Sequence, residues 1–348
     1  MRTYEIAVIP GDGIGLEVTP AALEVLHSAG RTHGFALETT EYPWGCDYFV
    51  EHGRMMPPDG LEQIGTCDAI LLGAVGRPDV PDHISLWGLL IPIRRAFRQY
   101  VNLRPVRLWP GIPSPLARAT PETVDMVIVR ENNEGEYSEI GGRMHQGTED
   151  ELAVQEAVFT RKGTDRIINF ACALAAGRRG RICSATKSNG IIHTMPFWDE
   201  RFAYATARHP ELDAEQVLID ALCAALVLSP ERFDVIVASN LFGDILSDLA
   251  AALAGSIGIA PSANLNPEKE FPSMFEPVHG SAPDIAGQGI ANPIGAIWSG
   301  AQMLEHLGEQ AAADDVLARL RDMLADDGPR TRDLGGTATT ADVVAALA

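Results

Sequence analysis

The 348-residue sequence lacks several features that would each mark a particular class of protein. Its five cysteines include no Cys-x-x-Cys pair, which argues against a zinc module, and their odd number argues against a disulfide framework. No uninterrupted run of about 18 apolar residues is present to span a membrane, and no apolar leader follows the first Met. These absences predict a cytoplasmic protein that has no membrane partner.

Positive charge is also scarce. The sequence has 27 Lys and Arg residues against 47 Asp and Glu residues, for a formal net charge of −20. A surface of this sign repels nucleic acid and anionic membranes, so we expect neither as a partner. An anionic substrate would need a local cluster of arginines that opposes the general field.

Short apolar runs that suit buried strands alternate with longer helical patterns, which predicts an α/β fold. Strands are expected at Tyr4–Pro10, Asp68–Gly73, Asp125–Val129 and Phe233–Ala238. The helical patterns cover the residues from Gly15 to about Gly30 and the ranges Ile84–Gln99, Thr164–Ala176, Asp213–Leu228, Asp244–Ala254, Ile294–His306 and Ala311–Ala325.

The segment Gly11-Asp12-Gly13-Ile14-Gly15 follows the first strand and opens a helix. It is not the dinucleotide fingerprint G-x-G-x-x-G, because its third glycine comes one residue early. A tight turn without a ligand explains it at least as well as a phosphate loop. The sequence therefore does not predict an ordinary Rossmann domain.

Asp244 and Asp248 follow a predicted buried strand and are four residues apart, so on a helix their carboxylates share one face. Two hard oxygen ligands so placed suit Mg²⁺ or Mn²⁺. A first-turn aspartate favoured by the helix dipole, followed by a solvated one, explains the spacing equally well. Asp220, inside the apolar run VLIDALCAALVL, favours the metal site, because an acid among aliphatic residues needs a partner such as a cation.

Three arginines lie beside apolar or strand-like sequence: Arg94 in LIPIRRAF, Arg104 in VNLRPVRL and Arg130 in VIVRENNEGEY. Their neighbours Arg95, Arg98 and Arg107 are interpreted as belonging to solvated faces. A planar guanidinium binds a carboxylate through two parallel hydrogen bonds. Three such arginines in an acidic protein predict a binding site for an anionic substrate.

Proton-transfer candidates occur in two further motifs. Lys187 in SATKSNG is a candidate general base, and Tyr137 at the end of RENNEGEY is a candidate proton donor. His279 precedes a Gly/Ser/Ala/Pro loop whose backbone N–H groups can approach a nucleotide closely, and Asp284 can accept hydrogen bonds from ribose hydroxyls.

Taken together, these segments resemble the β-decarboxylating dehydrogenases, the family of isocitrate, 3-isopropylmalate and D-malate/tartrate dehydrogenases. The resemblance runs from AVIPGDGIG near the start to GGTATTADV near the end, and includes NLFGDILSDLA and FEPVHGSAPDIAGQGIANP in that order. The runs PDHISLWG and SATKSNG resemble the D-malate/tartrate branch more than the isopropylmalate enzymes.

The resemblance implies an open, mixed α/β sheet with two domains, unlike a Rossmann fold. The first domain would comprise residues 1–99 and 256–348 and carry the NAD-binding loops. The second, residues 100–255, would carry the dimer interface, with an extended arm near 138–161 exchanged across a homodimer.

The resemblance also assigns roles to individual residues. Arg94, Arg104 and Arg130 would bind the substrate carboxylates, and Leu90 would contact the substituent at C3. Asp244 and Asp248 would hold Mn²⁺ or Mg²⁺ together with Asp220 of the partner subunit. Lys187 of the partner subunit would be a catalytic residue beside Asp220, and Tyr137 would act as proton donor. The NAD contacts would come from Ile14, His279, Gly280, Ser281, Ala282, Asp284, Ile285 and Asn292.

The implied reaction is the NAD-dependent oxidative decarboxylation of a (R)-2-hydroxy diacid, D-malate to pyruvate and CO₂ first and tartrate second, with K⁺ as a further candidate ion. Leu90 keeps 3-isopropylmalate as an alternative substrate. A metal-dependent decarboxylase without redox chemistry is the alternative from a different class.

Overall fold

The structure is a computed structural model that describes residues 2–325 and 328–348. Within these residues it contains two sheets. Their strands are β1 (Arg2–Gly11), β2 (Phe35–Glu41), β3 (Ala69–Ala74), β4 (Val101–Arg107), β5 (Asp125–Glu131), β6 (Gly141–Met144), β7 (Leu152–Gln155), β8 (Arg181–Thr186), β9 (Asp213–Leu218), β10 (Val235–Ala238), β11 (Pro261–Leu265) and β12 (Ser273–Pro277).

Helices connect most of these strands. They are α1 (Gly15–His33), α2 (Cys46–His52), α3 (Gly60–Ile64), α4 (Asp82–Ser85), α5 (Ile91–Ala96), α6 (Arg161–Ala176), α7 (Thr194–Thr206), α8 (Ile219–Leu228), α9 (Asn240–Leu253), α10 (Ile294–Leu307), α11 (Gln310–Ala325) and α12 (Thr340–Leu347). A π-helical turn, Leu86–Leu90, joins α4 to α5. No helix in the described ranges is long and apolar enough to cross a membrane.

Ten strands form one mixed sheet in the order β2-β1-β3-β12-β11-β4-β5-β10-β8-β9. Strand β11 pairs antiparallel with β12 and β4, and β4 pairs antiparallel with β5, whereas the other neighbours are parallel. The predicted open mixed sheet is therefore confirmed.

The sheet is buried on both faces, as strand β1 illustrates. Ile6 and Val8 belong to the larger apolar cluster, and Ala7 and Ile9 belong to a second cluster on the opposite face. Because successive side chains of a strand point to opposite faces, a continuous apolar run is what a strand covered on both sides requires.

In the order of the sheet, the first five strands, β2-β1-β3-β12-β11, come from residues 1–99 and 256–348. The other five, β4-β5-β10-β8-β9, come from residues 100–255. We propose the division into two domains on this basis. Residues 138–161 contain the separate two-stranded sheet β6-β7, all of whose residues are exposed.

Several predicted helices differ in the structure. Asp213–Leu228 was expected to be one helix, but Asp213–Leu218 forms strand β9, since pairing with β8 supplies an edge position that its polar sequence did not indicate. The range Ile84–Gln99 ends early at Ala96 and is interrupted by the π-helical turn. Helix α9 begins at Asn240, one turn before the predicted Asp244.

The glycine-rich segment after β1 is a tight turn packed against protein. Gly11 and Gly13 have φ values of 73° and 57°, and a Cβ on Gly13 would lie 2.1 Å from the carbonyl oxygen of Ser281. Glycine is required here by the backbone conformation and by the close approach of the second loop. The amide of Ile14 donates to that same carbonyl at 2.8 Å, so this turn is joined to the loop that follows β12.

Candidate active site

Arg130, near the end of β5, lies fully buried against the first turn of α9. Its Nη1 donates to Asp244 Oδ1 at 2.5 Å, and its Nε and Nη2 donate to Asn240 Oδ1 at 3.1 and 2.6 Å. A Cβ on Gly243 would lie 2.6 Å from the Arg130 side chain, so glycine leaves the space that this arginine occupies. Burial and Arg104 both lower the pKa of Arg130, and Asp244 opposes them as its counter-charge.

Arg104, in β4, approaches the same helix from the neighbouring strand. Its Nη1 donates to Ser247 Oγ at 2.6 Å and to Asp244 Oδ1 at 3.2 Å, and its Nε donates to Asn102 Oδ1 at 2.6 Å. Asp248 Oδ1 lies farther away, at 3.8 Å from Nη1. Two arginines from adjacent antiparallel strands thus converge on one carboxylate of α9.

Tyr137 completes this group from the loop after β5. Its hydroxyl donates to Asp244 Oδ2 at 3.0 Å, and the Arg130 guanidinium lies 5.6 Å from its ring centre. Burial, followed by the negative charge of Asp244, raises the pKa of Tyr137 and keeps the hydroxyl protonated. A protonated phenol beside a carboxylate is a competent proton donor.

Arg94 lies on the other side of the cleft, in α5, and is buried. Its Nη2 donates to Glu276 Oε1 at 2.6 Å. A cavity of about 170 Å³ is lined by Leu90, Arg94, Arg104, Glu276 and His279, and Gly280 is also among its lining residues. The structure therefore brings Leu90 and two of the three predicted arginines to one small cleft.

Asp244 and Asp248 differ in their surroundings although they lie one turn apart on α9. Burial raises the pKa of Asp244, but Arg130, Arg104 and Tyr137 together hold it below its usual value. Burial and the charge of Asp244 raise the pKa of Asp248, which has no partner as close. A cation between the two carboxylates would relieve their repulsion, so this pair suits a hard divalent metal.

Lys187 and Asp220 form a separate pair. They follow the parallel strands β8 and β9, and Lys187 Nζ donates to Asp220 Oδ1 at 2.5 Å. The interpretation of Asp220 as a buried acid is wrong for this chain, because its side chain is 66% exposed at the start of α8. Among the described residues, no three His, Cys, Asp or Glu side chains come together to hold a metal.

A second cavity, of about 290 Å³ and lined mostly by apolar atoms, lies beside the loop after β12. Five predicted cofactor contacts line it: Ile14, His279, Ala282, Ile285 and Asn292. Asp284 is exposed beyond it, Gly280 lines the smaller cleft, and Ser281 contacts Ile14 through its carbonyl.

His279 reaches both cavities and has an unused acceptor. Its Nδ1 lies 3.0 Å from the Gly280 carbonyl oxygen and therefore carries the hydrogen. Burial lowers the pKa of His279, and the buried Nε2 has no hydrogen-bond partner within the described structure. A lone acceptor in an apolar cavity suits a heteroaromatic base or a sugar hydroxyl, so the residues here fit an adenosine group.

Several residues that organise the site were not predicted. Asp333 accepts hydrogen bonds from Asn292 Nδ2 at 2.9 Å and Ser256 Oγ at 2.6 Å, and so shapes the larger cavity. Glu276 holds Arg94, and Asn102 holds Arg104. Of these, only Glu276 had a sequence indication, since it is an acid inside the buried run SMFEP.

Known proteins resemble this chain over nearly its whole length. A profile of the isocitrate/isopropylmalate dehydrogenase family matches residues 5–347. The chain is 56% identical over 355 residues to the D-malate dehydrogenase [decarboxylating] of Escherichia coli (strain K12), covering 100% of this chain and 98% of that protein. It is 57% identical over 355 residues to the tartrate dehydrogenase/decarboxylase of Pseudomonas putida, covering 99% and 97%.

Among solved structures, the isocitrate dehydrogenase of Methylococcus capsulatus superposes with a TM-score of 0.89 at 33% identity, covering 99% of this chain and 98% of that one. The predicted resemblance is confirmed by these matches over nearly the whole length. The chain therefore belongs to the isocitrate/isopropylmalate dehydrogenase family.

Proposed function

We propose that the chain catalyses the NAD-dependent oxidative decarboxylation of a (R)-2-hydroxy diacid, with D-malate converted to pyruvate and CO₂ and tartrate as a further substrate. One observation carries the proposal: Arg104, Arg130 and Tyr137 converge on Asp244 beside the cleft that contains Arg94. The names of the relatives in Escherichia coli and Pseudomonas putida support the same reaction.

The arginines supply the substrate specificity. Arg94, Arg104 and Arg130 are all buried, and each has a carboxylate partner or an amide oxygen in the chain itself. A diacid would bring two further carboxylates to these guanidinium groups, whose fork geometry matches them. Loss of one such contact costs about 2–5 kcal/mol when the charge is desolvated.

Asp244 and Asp248 would hold Mn²⁺ or Mg²⁺, and the cavity at His279 would hold the adenosine part of NAD. When bound, the metal supplies Lewis-acid polarisation of the oxygen at C2, and NAD supplies the hydride acceptor. The residues Gly280, Ser281, Ala282, Asp284, Ile285 and Asn292, with Ile14, are proposed as the remaining NAD contacts.

Two residues of the chain would move protons. Lys187 of the partner subunit would take the proton of the 2-hydroxyl as C2 is oxidised, which leaves a β-keto acid. Loss of CO₂ leaves the bonding electron pair on C3 as an enolate. Tyr137 would donate its hydroxyl proton to C3 and be reprotonated from solvent. The hydrogen bond from the Tyr137 hydroxyl to Asp244 Oδ2, at 3.0 Å beside the arginines, supports this role.

The proposed assembly is a homodimer in which Lys187 and Asp220 complete the partner's site. Three large apolar side chains stand exposed on α8 and α9, namely Val227, Leu228 and Ile245. The arm at 138–161 exposes Ile140, Met144, Leu152 and Val154. Apolar surface of this extent on a helix pair and a ribbon is typical of a covered interface.

The experiment is reduction of NAD in the presence of Mn²⁺ with D-malate, both tartrates and 3-isopropylmalate in turn, together with measurement of CO₂. Leu90 lines the cleft, and this favours 3-isopropylmalate as the second candidate. Preference for that substrate would replace D-malate and keep the mechanism. CO₂ release without NADH would replace the dehydrogenase by a non-redox decarboxylase.

A further inference from the structure

Arg95 is the neighbour of Arg94 in α5, and the sequence interpretation assigned it to a solvated face. In the structure its Nη2 donates to the backbone carbonyl of Tyr137 at 3.0 Å, and its Nη1 lies 3.0 Å from Glu139 Oε2. Its guanidinium also lies over the ring of Trp87, 5.0 Å from the ring centre. Less than a third of the Arg95 side chain is exposed.

The contacts of Arg95 with Tyr137 and Glu139 join two segments of the chain. Arg95 and Trp87 belong to the first segment of the chain, residues 1–99, whereas Tyr137 and Glu139 belong to the middle segment, residues 100–255. Arg94 extends instead to Glu276, so consecutive arginines of one helix contact opposite sides of the cleft. Arg95 is thus a direct side-chain link between the substrate-binding helix and the loop of the proton donor.

Trp87 lies in the π-helical turn Leu86–Leu90, which also carries Leu90 into the cleft. Such turns recur at functional sites because the extra residue redirects side chains. The stack on Trp87 restricts the Arg95 side chain, and a restricted, planar guanidinium loses less entropy when it binds a carbonyl.

A second anchor holds the residue before Tyr137. Glu136 accepts hydrogen bonds from Ser239 Oγ at 2.8 Å and from the amide of Leu241 at 3.0 Å, at the amino terminus of α9. This bond fixes the loop to the helix that carries Asp244. On the other side, Ser138 Oγ donates to the Glu156 carbonyl at 2.5 Å, and Gln155 Nε2 donates to the Ser138 carbonyl at 2.9 Å. The carbonyl of Tyr137 itself accepts from Arg95, so the direction of this peptide, and with it the phenol, also depends on Arg95.

We propose that Arg95, stacked on Trp87, is a positioning residue that holds the Tyr137 hydroxyl in the orientation needed for protonation of C3. The proposal rests on the proposed function, because it concerns the step in which the Tyr137 hydroxyl gives its proton to the enolate carbon that CO₂ has left. Arg95 does not line the cleft that contains Leu90 and Arg94, so its effect would come through Tyr137.

The test is a double-mutant cycle of Arg95→Met and Tyr137→Phe. Pyruvate formation from added oxaloacetate isolates the later steps, and NADH formation from D-malate follows the full reaction. Tyr137→Phe should slow pyruvate formation by about 100-fold, as for loss of a general acid. Arg95→Met should slow it by about 10-fold through displacement of the phenol, while the KM for D-malate changes less than twofold.

The double variant should be no slower than Tyr137→Phe alone, because Arg95 acts through Tyr137. Arg95→Lys should recover only part of the rate, since an ammonium cannot both stack on Trp87 and contact two oxygens. Arg98→Met is the matched control: Arg98 also pairs with a glutamate, Glu270 at 2.8 Å, and lies 5.4 Å from a ring, but does not contact Tyr137.

Additive losses in the double variant, or equal losses from Arg95→Met and Arg98→Met, would overturn the proposal. A thermal unfolding midpoint that falls equally in both arginine variants, with rate loss only in Arg95→Met, would support it. If the wild type converts no 2-hydroxy diacid and no oxaloacetate, the proposed function falls and the Arg95 proposal with it. If the wild type is active and the cycle is additive, only the Arg95 proposal falls.

Discussion

Replacement of Asp244 and of Asp248 by asparagine should have the same effect on metal binding and different effects on stability. Asp244 accepts charge-assisted hydrogen bonds from Arg104 and Arg130 and a further bond from Tyr137. A hydrogen bond to a charged group contributes about 1.5–3 kcal/mol. The Asp244 side chain is 33% exposed, which weakens these interactions, so we expect Asp244→Asn to lower the free energy of unfolding by roughly 2–3 kcal/mol.

Asp248 presents the opposite case. Its side chain is 57% exposed, its nearest cation is 3.8 Å away, and the charge of Asp244 contributes to its raised pKa. The substitution Asp248→Asn removes the Asp248 charge and with it the repulsion between the two carboxylates. The variant should therefore be as stable as the wild type at pH 7 or more stable. Both variants should bind Mn²⁺ at least about 10-fold more weakly, because each removes a charged oxygen ligand.

Urea titration gives the free energy of unfolding, and calorimetric titration with Mn²⁺ gives the affinity, both without substrate. Asp220→Asn is the control for stability, since it removes an exposed aspartate that pairs with Lys187. Equal destabilisation by the two α9 variants would contradict the electrostatic account of this helix. Normal Mn²⁺ affinity or normal metal-dependent turnover in Asp244→Asn would contradict the metal site itself.

Three further predictions test other parts of the structure. Burial, and then the charge of Lys269, lower the pKa of His306 to about 4, so its neutral form stabilises the fold above pH 6.5 and this contribution is lost as the pH falls towards 4. The substitution His306→Gln should therefore remove roughly 1–2 kcal/mol of the loss in unfolding free energy between pH 7 and pH 4. Urea titration over this range measures it, and an unchanged slope of unfolding free energy against pH would refute the lowered pKa. Mixtures of Lys187→Met and Tyr137→Phe, each strongly impaired in pyruvate formation, should gain activity when they are unfolded and refolded together if sites are shared, whereas no gain would follow if each site belonged to one subunit. His279→Leu should raise the KM for NAD about 10-fold with little change in the KM for D-malate, and equal effects on both would argue against a cofactor role.

The parts of the fold that the sequence predicted are those determined by local pattern. Asp125–Val129 and Phe233–Ala238 are apolar runs between polar residues, and they lie within β5 and overlap β10. Ile294–His306 matches α10 to within one residue. Strand β9 was missed, because its sequence DAEQVL has neither the apolar content nor the alternation of a buried strand, and only pairing with β8 makes it extended.

The site shows the same division. Arg94, Arg104, Arg130 and the carboxylates of α9 were identified because charged residues next to apolar runs are unusual locally. Their partners were not. Glu276 lies 182 residues from Arg94, so no local spacing could join the two. Glu276 does belong to the motif FEPVHGSAPDIAGQGIANP, which carries part of the family resemblance. Arg95 was assigned to solvent because its carbonyl partner on Tyr137 exists only after the two segments fold together.

The most direct test of the proposed reaction is NAD reduction by the purified wild-type enzyme with D-malate, followed in the presence of Mn²⁺ and again with EDTA. NADH and CO₂ should form in a ratio of one to one, and activity should be abolished by EDTA and restored by excess Mn²⁺. NADH formation that is unaffected by EDTA would contradict the metal site at Asp244 and Asp248. Absence of NADH with D-malate, tartrate and 3-isopropylmalate alike would contradict the proposed function as a whole.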